Sequence, residues 1–271
     1  MLKGKDINKW RILFKNTYLI HSFDGLNVET SYPSIYKFLF QFKDKLMKRS
    51  DQGKYWYNLR ACAYDDLFEK EKIMYGEIVP EPRFIFDNGT FYMEATGFIL
   101  NSNSINLKYL LGLLNSKLLF WYFKDIGYNL GGKGYRYKKI FIEQIPIKFT
   151  NKTTENKVIN LVNELIILNN QVVAETNIFN DILIKKCCLK HISKNLEKYY
   201  ELTESNFFKE LKKQHGNIYD KEKLSSDFKT SSILVLELND KITELEIELN
   251  KIIYDIYNLT DIEISIIENS F

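Results

Sequence analysis

All four prolines of this chain (Pro33, Pro80, Pro82, Pro146) fall within its first 146 residues, and of its 12 glycines only Gly216 comes later. Proline fixes φ and removes an amide donor, and glycine loosens the backbone, so both interrupt regular helix. A long stretch almost free of both has little to break it. The apolar residues there repeat at helical spacing. Val158, Leu161, Val162, Leu165, Leu168 and Val172 mark one amphipathic helix, and Phe207, Phe208 and Leu211 a shorter one. Leu238, Ile242, Leu245, Leu249, Ile252 and Ile256 follow at alternating steps of four and three, which is a heptad seam. The expected partner of that seam is the first helix of the same half. The first half mixes periods. The chain therefore reads as α+β: a mixed-sheet domain over residues 1–150, then an all-helical, bundle-like region over 151–271.

Charge divides at the same place. The net +3 of the 271 residues conceals 23 Lys+Arg against 15 Asp+Glu in residues 1–150, and 15 against 20 in residues 151–271. A half at +8 suits an anionic polymer, and a half at −5 suits a protein surface.

Within the first half, Tyr18–Ile20 is a short apolar run ending at a turn over residues 21–25. Ser34 is placed to cap a helix carrying Ile35, Phe38, Leu39, Phe42 and Leu46, with Lys43, Lys45, Lys48 and Arg49 on it and its exit. Asp65–Glu71 predicts a short helix. Lys72–Val79, Arg83–Phe86 and Thr90–Leu100 predict strands, the last two joined as a hairpin by Asp87-Asn88-Gly89. Leu107–Phe123 predicts a buried helix behind an Asn106 cap, too short to span a bilayer and broken by Asn115, Ser116 and Lys117. Lys139–Ile142 predicts a final strand.

The segment GYNLGGKGYRYKKIFIEQIP (127–146) concentrates the interaction chemistry. Gly131, Gly132 and Gly134 flank Lys133, and Tyr135, Arg136, Tyr137, Lys138 and Lys139 alternate rings with cations. Lys and Arg neutralise phosphates, and Arg can also address base edges. Two readings stand: a loop entering a nucleic-acid groove, or a solvated hairpin whose tyrosines pack on a sheet.

Catalytic patterns fail on inspection. No proline pair supports an Asn-Pro-Pro-aromatic tetrad, and GGKG lacks the frame of a dinucleotide or P-loop fingerprint. Glu155-Asn156-Lys157 and Glu210-Leu211-Lys212 have a nuclease-like Glu-x-Lys form but lie in helical stretches. His21, His191 and His215 are scattered, and Cys62, Cys187 and Cys188 have no zinc-ligand spacing. Sparse cysteines, a polar start without signal-peptide character and no membrane span fit a cytoplasmic protein.

Several segments together resemble the TaqI-like C-terminal specificity domain of type IIG restriction-modification enzymes and related bacterial adenine-specific DNA methyltransferases. They are LKGKDINKWRILFKNTYLI; WYNLRACAYDDLFEKEKIMYGEI, with Trp56, Arg60, Phe68, Lys72 and Ile73; PRFIFDNGTFYMEATGFIL; LKYLLGLLNSKLLFWYF, with the tetrad Leu114-Asn115-Ser116-Lys117; and LGGKGYRYKKIFIEQIPI. The ending IIYDIYNLTDIEISIIE resembles that of the larger type IIG chains, with Asn258 where the pattern usually has glycine.

The resemblance implies a division of labour. A separate domain would bind S-adenosylmethionine and methylate adenine, and a nuclease would use Mg2+; this chain would carry neither cofactor and no catalytic site. Its partners would be double-stranded DNA and an adenine methyltransferase/nuclease domain, in the same parent polypeptide or a separate subunit. Lys133, Tyr135, Arg136, Tyr137, Lys138 and Lys139 would form the first group of DNA contacts, and Lys48, Arg49, Lys54, Arg60 and Lys72 the second. Arg136 is the candidate for a bidentate guanine contact. For Arg60 and Lys72 the competing expectation is pairing with Asp65, Asp66 or Glu69. The acidic helices would brace the recognition domain or dock on the catalyst. Two other readings are a helical protein-interaction scaffold without a DNA role, and a type I specificity subunit, which would need two recognition domains where one is visible.

Overall fold

The structure is a computed structural model that describes residues 1–214 and 220–271. His215 and Gly216 lie outside the described residues. In chain order the elements are β1 (Ile7–Asn8), β2 (Arg11–Ile12), α1 (Val28–Ser31), α2 (Pro33–Phe40), α3 (Lys43–Leu46), β3 (Glu71–Gly76), β4 (Ile78–Val79), β5 (Phe84–Asn88), β6 (Gly97–Leu100), α4 (Leu107–Leu114), α5 (Lys117–Ile126), β7 (Tyr128–Asn129), β8 (Tyr135–Arg136), α6 (Lys139–Ile142), α7 (Lys152–Lys186), α8 (Lys194–Glu197), α9 (Glu204–Lys213), α10 (Lys221–Tyr257) and α11 (Asp261–Glu268). The α+β class holds.

β3 is the centre of the first half. Its side chains alternate between two faces, as a strand requires, and both faces are buried. Ile73 and Tyr75 join a core with Leu111, Leu113 and Phe123. Met74 faces the opposite way, onto Leu2, Ile7 and Ile85. β5 and β6 pair antiparallel with β3 on either side, in the order β5-β3-β6. The expected hairpin across Asp87-Asn88-Gly89 is therefore corrected. The turn forms, but the strands it separates flank β3 and do not pair with each other. Residues 18–20 form no strand; they run outside any ladder, with Tyr18 and Ile20 exposed. The predicted helix from Ser34 starts at Pro33 instead and stops at Phe40. The buried helix is two helices, α4 and α5, separated where Ser116 caps the second.

The helical half is built on an antiparallel pair, α7 and α10, of 35 and 37 residues. At 1.5 Å per residue each runs a little over 50 Å, roughly. Their near ends share the core of the first half. Val158, Val162, Leu165, Leu249 and Ile253 lie in one cluster with Ile73 and Leu111. Gly112 on α4 permits that approach, since a Cβ there would stand 2.8 Å from a Val158 methyl. Farther out the pair is held by Val172, Val235 and Leu238, and its tip has its own core of Phe179, Leu183, Phe207, Leu224 and Phe228 beneath α8 and α9. The heptad seam packs inside the chain, as its expected pairing with the first helix requires. Asn258 ends α10 in the left-handed region at φ +55°, the conformation for which the glycine of the pattern is suited and which Asn tolerates best among side-chain-bearing residues.

The two halves are also latched by Trp10. Its backbone lies at φ +65°, its amide donates to the Phe84 carbonyl, and its indole donates to Glu246 Oε1 at 2.5 Å. Lys9 pairs with the same carboxylate at 2.8 Å.

Candidate nucleic-acid interface

The glycine loop joins β7 to β8, and β8 pairs on its other edge with β4. The loop is closed by hydrogen bonds from the Leu130 amide to the Gly134 carbonyl at 2.8 Å and from the Gly134 amide to the Gly131 carbonyl at 2.9 Å. Gly134 is at φ +94°, and a Cβ there would sit 2.5 Å from the Val79 carbonyl oxygen. Only glycine fits both the conformation and the approach. The turn is thereby pinned to β4 while Lys133 is exposed at its tip.

The tyrosines behave differently from the cations. Tyr137 is 1% exposed and stacks on Phe123 with ring centroids 4.1 Å apart; its burial pushes the phenol pKa far above its ordinary value. Its expected place among the DNA contacts is corrected: it is a core residue. Tyr135 is half-buried and edge-on to Phe120 and Phe123. Arg136 is half-buried, its Nε 3.4 Å from Glu77 Oε1. Lys138 is exposed just before α6, and Lys139 is exposed beside Glu143 at 3.4 Å. The strand expected at Lys139–Ile142 is a turn of helix, α6. Thus the loop displays Lys133, Lys138 and Lys139, partly displays Arg136, and uses its rings as anchors.

Lys72 requires a second correction. It is fully buried on the Met74 side of β3 and pairs with buried Asp87. Neither a phosphate nor the expected Asp65, Asp66 or Glu69 is its partner. The ammonium also donates to the Phe68 carbonyl at 2.5 Å, and Asp87 Oδ2 accepts from the amides of Gly89, Thr90 and Phe91. Arg49 is likewise engaged by the fold. Its Nη2 donates to the carbonyls of Trp56 at 3.0 Å and Asn58 at 2.7 Å, closing the excursion that carries α1 to α3. Lys48, Lys54 and Arg60 are exposed. Arg60 meets Asp51 at 3.5 Å, with both side chains about two-thirds in solvent, a pairing that contributes little.

The excursion carries an exposed aromatic surface on the helix that the apolar spacing predicts. Phe38 and Phe42, one helical turn apart, are 49% and 41% exposed and touch edge to face at 5.4 Å. Phe40 is also exposed, and the Lys43 ammonium lies 5.2 Å from its ring centre and 5.9 Å from that of Trp56. The signal was present as too many apolar residues for one stripe: Ile35 and Leu39 turn inward, leaving Phe38 and Phe42 outside.

The structure does not gather all the expected contacts at one spot. The glycine-loop sheet follows the Gly76 end of β3, whereas Lys72 and the 3-10 turn Asp65–Glu69 sit at its start. The five steps of β3 from Glu71 to Gly76 span roughly 17 Å. At that first end His21, expected to be isolated, is 3.1 Å from Asp65 Oδ1 and 3.3 Å from the Tyr92 hydroxyl.

The tetrad Leu114-Asn115-Ser116-Lys117 joins the layers. Asn115 Oδ1 accepts from the Phe84 amide at 3.1 Å, and Nδ2 donates to the Phe84 carbonyl at 3.0 Å. The Lys117 amide donates to Asn250 Oδ1 at 2.9 Å, and its ammonium pairs with Glu268. This tetrad is thus a structural junction. Among the described residues, no cluster of His, Cys, Asp and Glu is arranged for a metal, and no helix is long and apolar enough to cross a membrane.

Residues 151–253 match a domain family of unknown function. The type II methyltransferase M.MjaIV of Methanocaldococcus jannaschii is 30% identical over 146 residues, which cover 51% of this chain and 49% of that protein. The chain thus spans about half the length of that curated relative. Residues 1–147 match the TaqI-like C-terminal specificity domain, and the chain belongs to that family.

Proposed function

We propose that this chain reads double-stranded DNA for a restriction-modification system of type IIG character and leaves adenine methylation and cleavage to a catalytic domain in its parent polypeptide or in another subunit. S-adenosylmethionine and Mg2+ belong, in this reading, to that domain. The observation that carries it is the glycine loop. Gly134 fixes its backbone, buried rings anchor its base, and Lys133, Lys138 and Lys139 are left in solvent with Arg136 beside them. Rigid presentation of cations suits phosphate gripping, and Arg136, partly engaged by Glu77, can exchange that partner for a base edge.

The excursion serves as a second contact element, with Lys48, Lys54 and Arg60 as its cations. About 17 Å of strand exceeds the roughly 12 Å width of a major groove, so loop and excursion address different parts of the duplex. The helical pair braces the recognition domain and sets its distance from the catalyst.

The test is equilibrium binding of a random-sequence duplex across a salt series. Each lost phosphate contact lowers the slope of log K against log salt by about 0.9. Lys138→Glu with Lys139→Glu is expected to weaken binding to every duplex and to flatten that slope by about 2. A wild-type chain without duplex affinity at low salt would favour the protein-interaction scaffold.

A further inference from the structure

A cleft of about 500 Å³ lies between the N-terminal segment and the helical pair. Lys5, Arg11 and Lys15 line it from one side, Lys198 from the end of α8, and Asn177 and Asn180 from α7. Glu197 is the one carboxylate on its wall. Arg11 is half-buried and is close enough to Lys198 for the two charges to repel. Lys198 has Glu201 at 2.8 Å as its counter-charge, and no described carboxylate pairs with Arg11.

Cations from two distant parts of the chain, held together and facing neutral amides, are arranged for an anion. We infer that this cleft takes a phosphate of the DNA backbone, so that the helical half touches the duplex as well as bracing the reader. This rests on the DNA-reading function proposed above and extends the footprint beyond residues 1–147. Arg11 is the bidentate donor of the site, Lys198 and Lys15 supply charge, and the Asn177 amide group donates from α7.

Arg11→Gln combined with Lys198→Gln tests it, using the wild-type full chain and a random-sequence duplex about three helical turns long, roughly 30 base pairs. Losing one or two phosphates is expected to lower the salt slope by about 1–2. Lys209→Gln on α9 removes one charge away from the cleft and is expected to leave the slope unchanged. Lys15→Gln, an exposed position, gives a separate reading should the double variant fold poorly by circular dichroism. A wild type that binds with its slope unaltered in the Arg11, Lys198 and Lys15 variants overturns the cleft and leaves the glycine-loop reading standing. A slope lowered equally by Lys209→Gln assigns the effect to net charge and also overturns it. A wild type that binds no duplex overturns both.

Discussion

Replacing Lys72 with Met separates a structural from a DNA-binding role for this cation. The side chains of Lys72 and Asp87 are 0% and 2% exposed. Methionine fills most of the volume but leaves the Asp87 carboxylate buried without its counter-charge. Removing one member of a buried pair costs about 3–5 kcal/mol, partly offset here by the three amides that donate to Asp87. At about 2–4 °C per kcal/mol for a chain of this size, the melting temperature should fall by roughly 6–20 °C. Adding Asp87→Asn should cost less than the sum of the two single changes, because the amide neither needs nor repels a charge. Thermal melts by circular dichroism at 222 nm supply the measurement, with duplex salt slopes recorded on the same proteins below their transitions. A melting temperature within about 2 °C of wild type would refute the reasoning. So would a slope reduced by one whole unit in a fully stable variant.

Asn115→Ala removes both hydrogen bonds to Phe84, leaving its buried amide unsatisfied while its carbonyl keeps the 3.4 Å bond from the Trp10 amide, so denaturant unfolding should show a loss of about 1–3 kcal/mol with no change in salt slope. Glu268 reports docking of the C-terminal segment through pH. Burial raises its pKa, but the Lys117 ammonium and the Tyr254 hydroxyl outweigh it and hold the carboxyl below 4.5. Its contribution is therefore present above pH 4.5 and is lost as pH falls through the lower folded value. Glu268→Gln should melt below wild type at neutral pH and converge with it in acid; a constant gap across pH would count against this linkage.

Local signals carried far into this structure where the decision they encode is local. The scarcity of proline and glycine predicts the long helices, and the position of Asn258 marks a left-handed helix end that the backbone adopts at φ +55°. Strand order was not legible, because Asp87-Asn88-Gly89 specifies a turn but not which neighbour each strand will find. β3, buried on both faces, is a better partner for both β5 and β6 than either is for the other. The candidate interface was legible in its cations and misread in its rings. Lys133, Lys138 and Lys139 are in solvent, whereas Tyr137 had Phe123 to stack on, and alternation alone does not say which face of a two-residue strand is covered. Lys72 looked like one more member of a basic run because its counter-charge, Asp87, lies on a different strand.

The three apolar clusters along α7 and α10 divide the arm into zones of unequal cohesion. Between the base and the tip the packing narrows to Val172, Val235 and Leu238, and polar side chains occupy buried places nearby: Asn169, Ser231 and Ser232. Fewer apolar contacts are lost if the helices part outward of this waist than if they part at the base. Amide protons of the tip can therefore exchange with solvent through openings that leave Val158 and Ile253 closed on the sheet. The outer end of the arm can rearrange around whatever it touches without disturbing the register in which the inner end holds the reader.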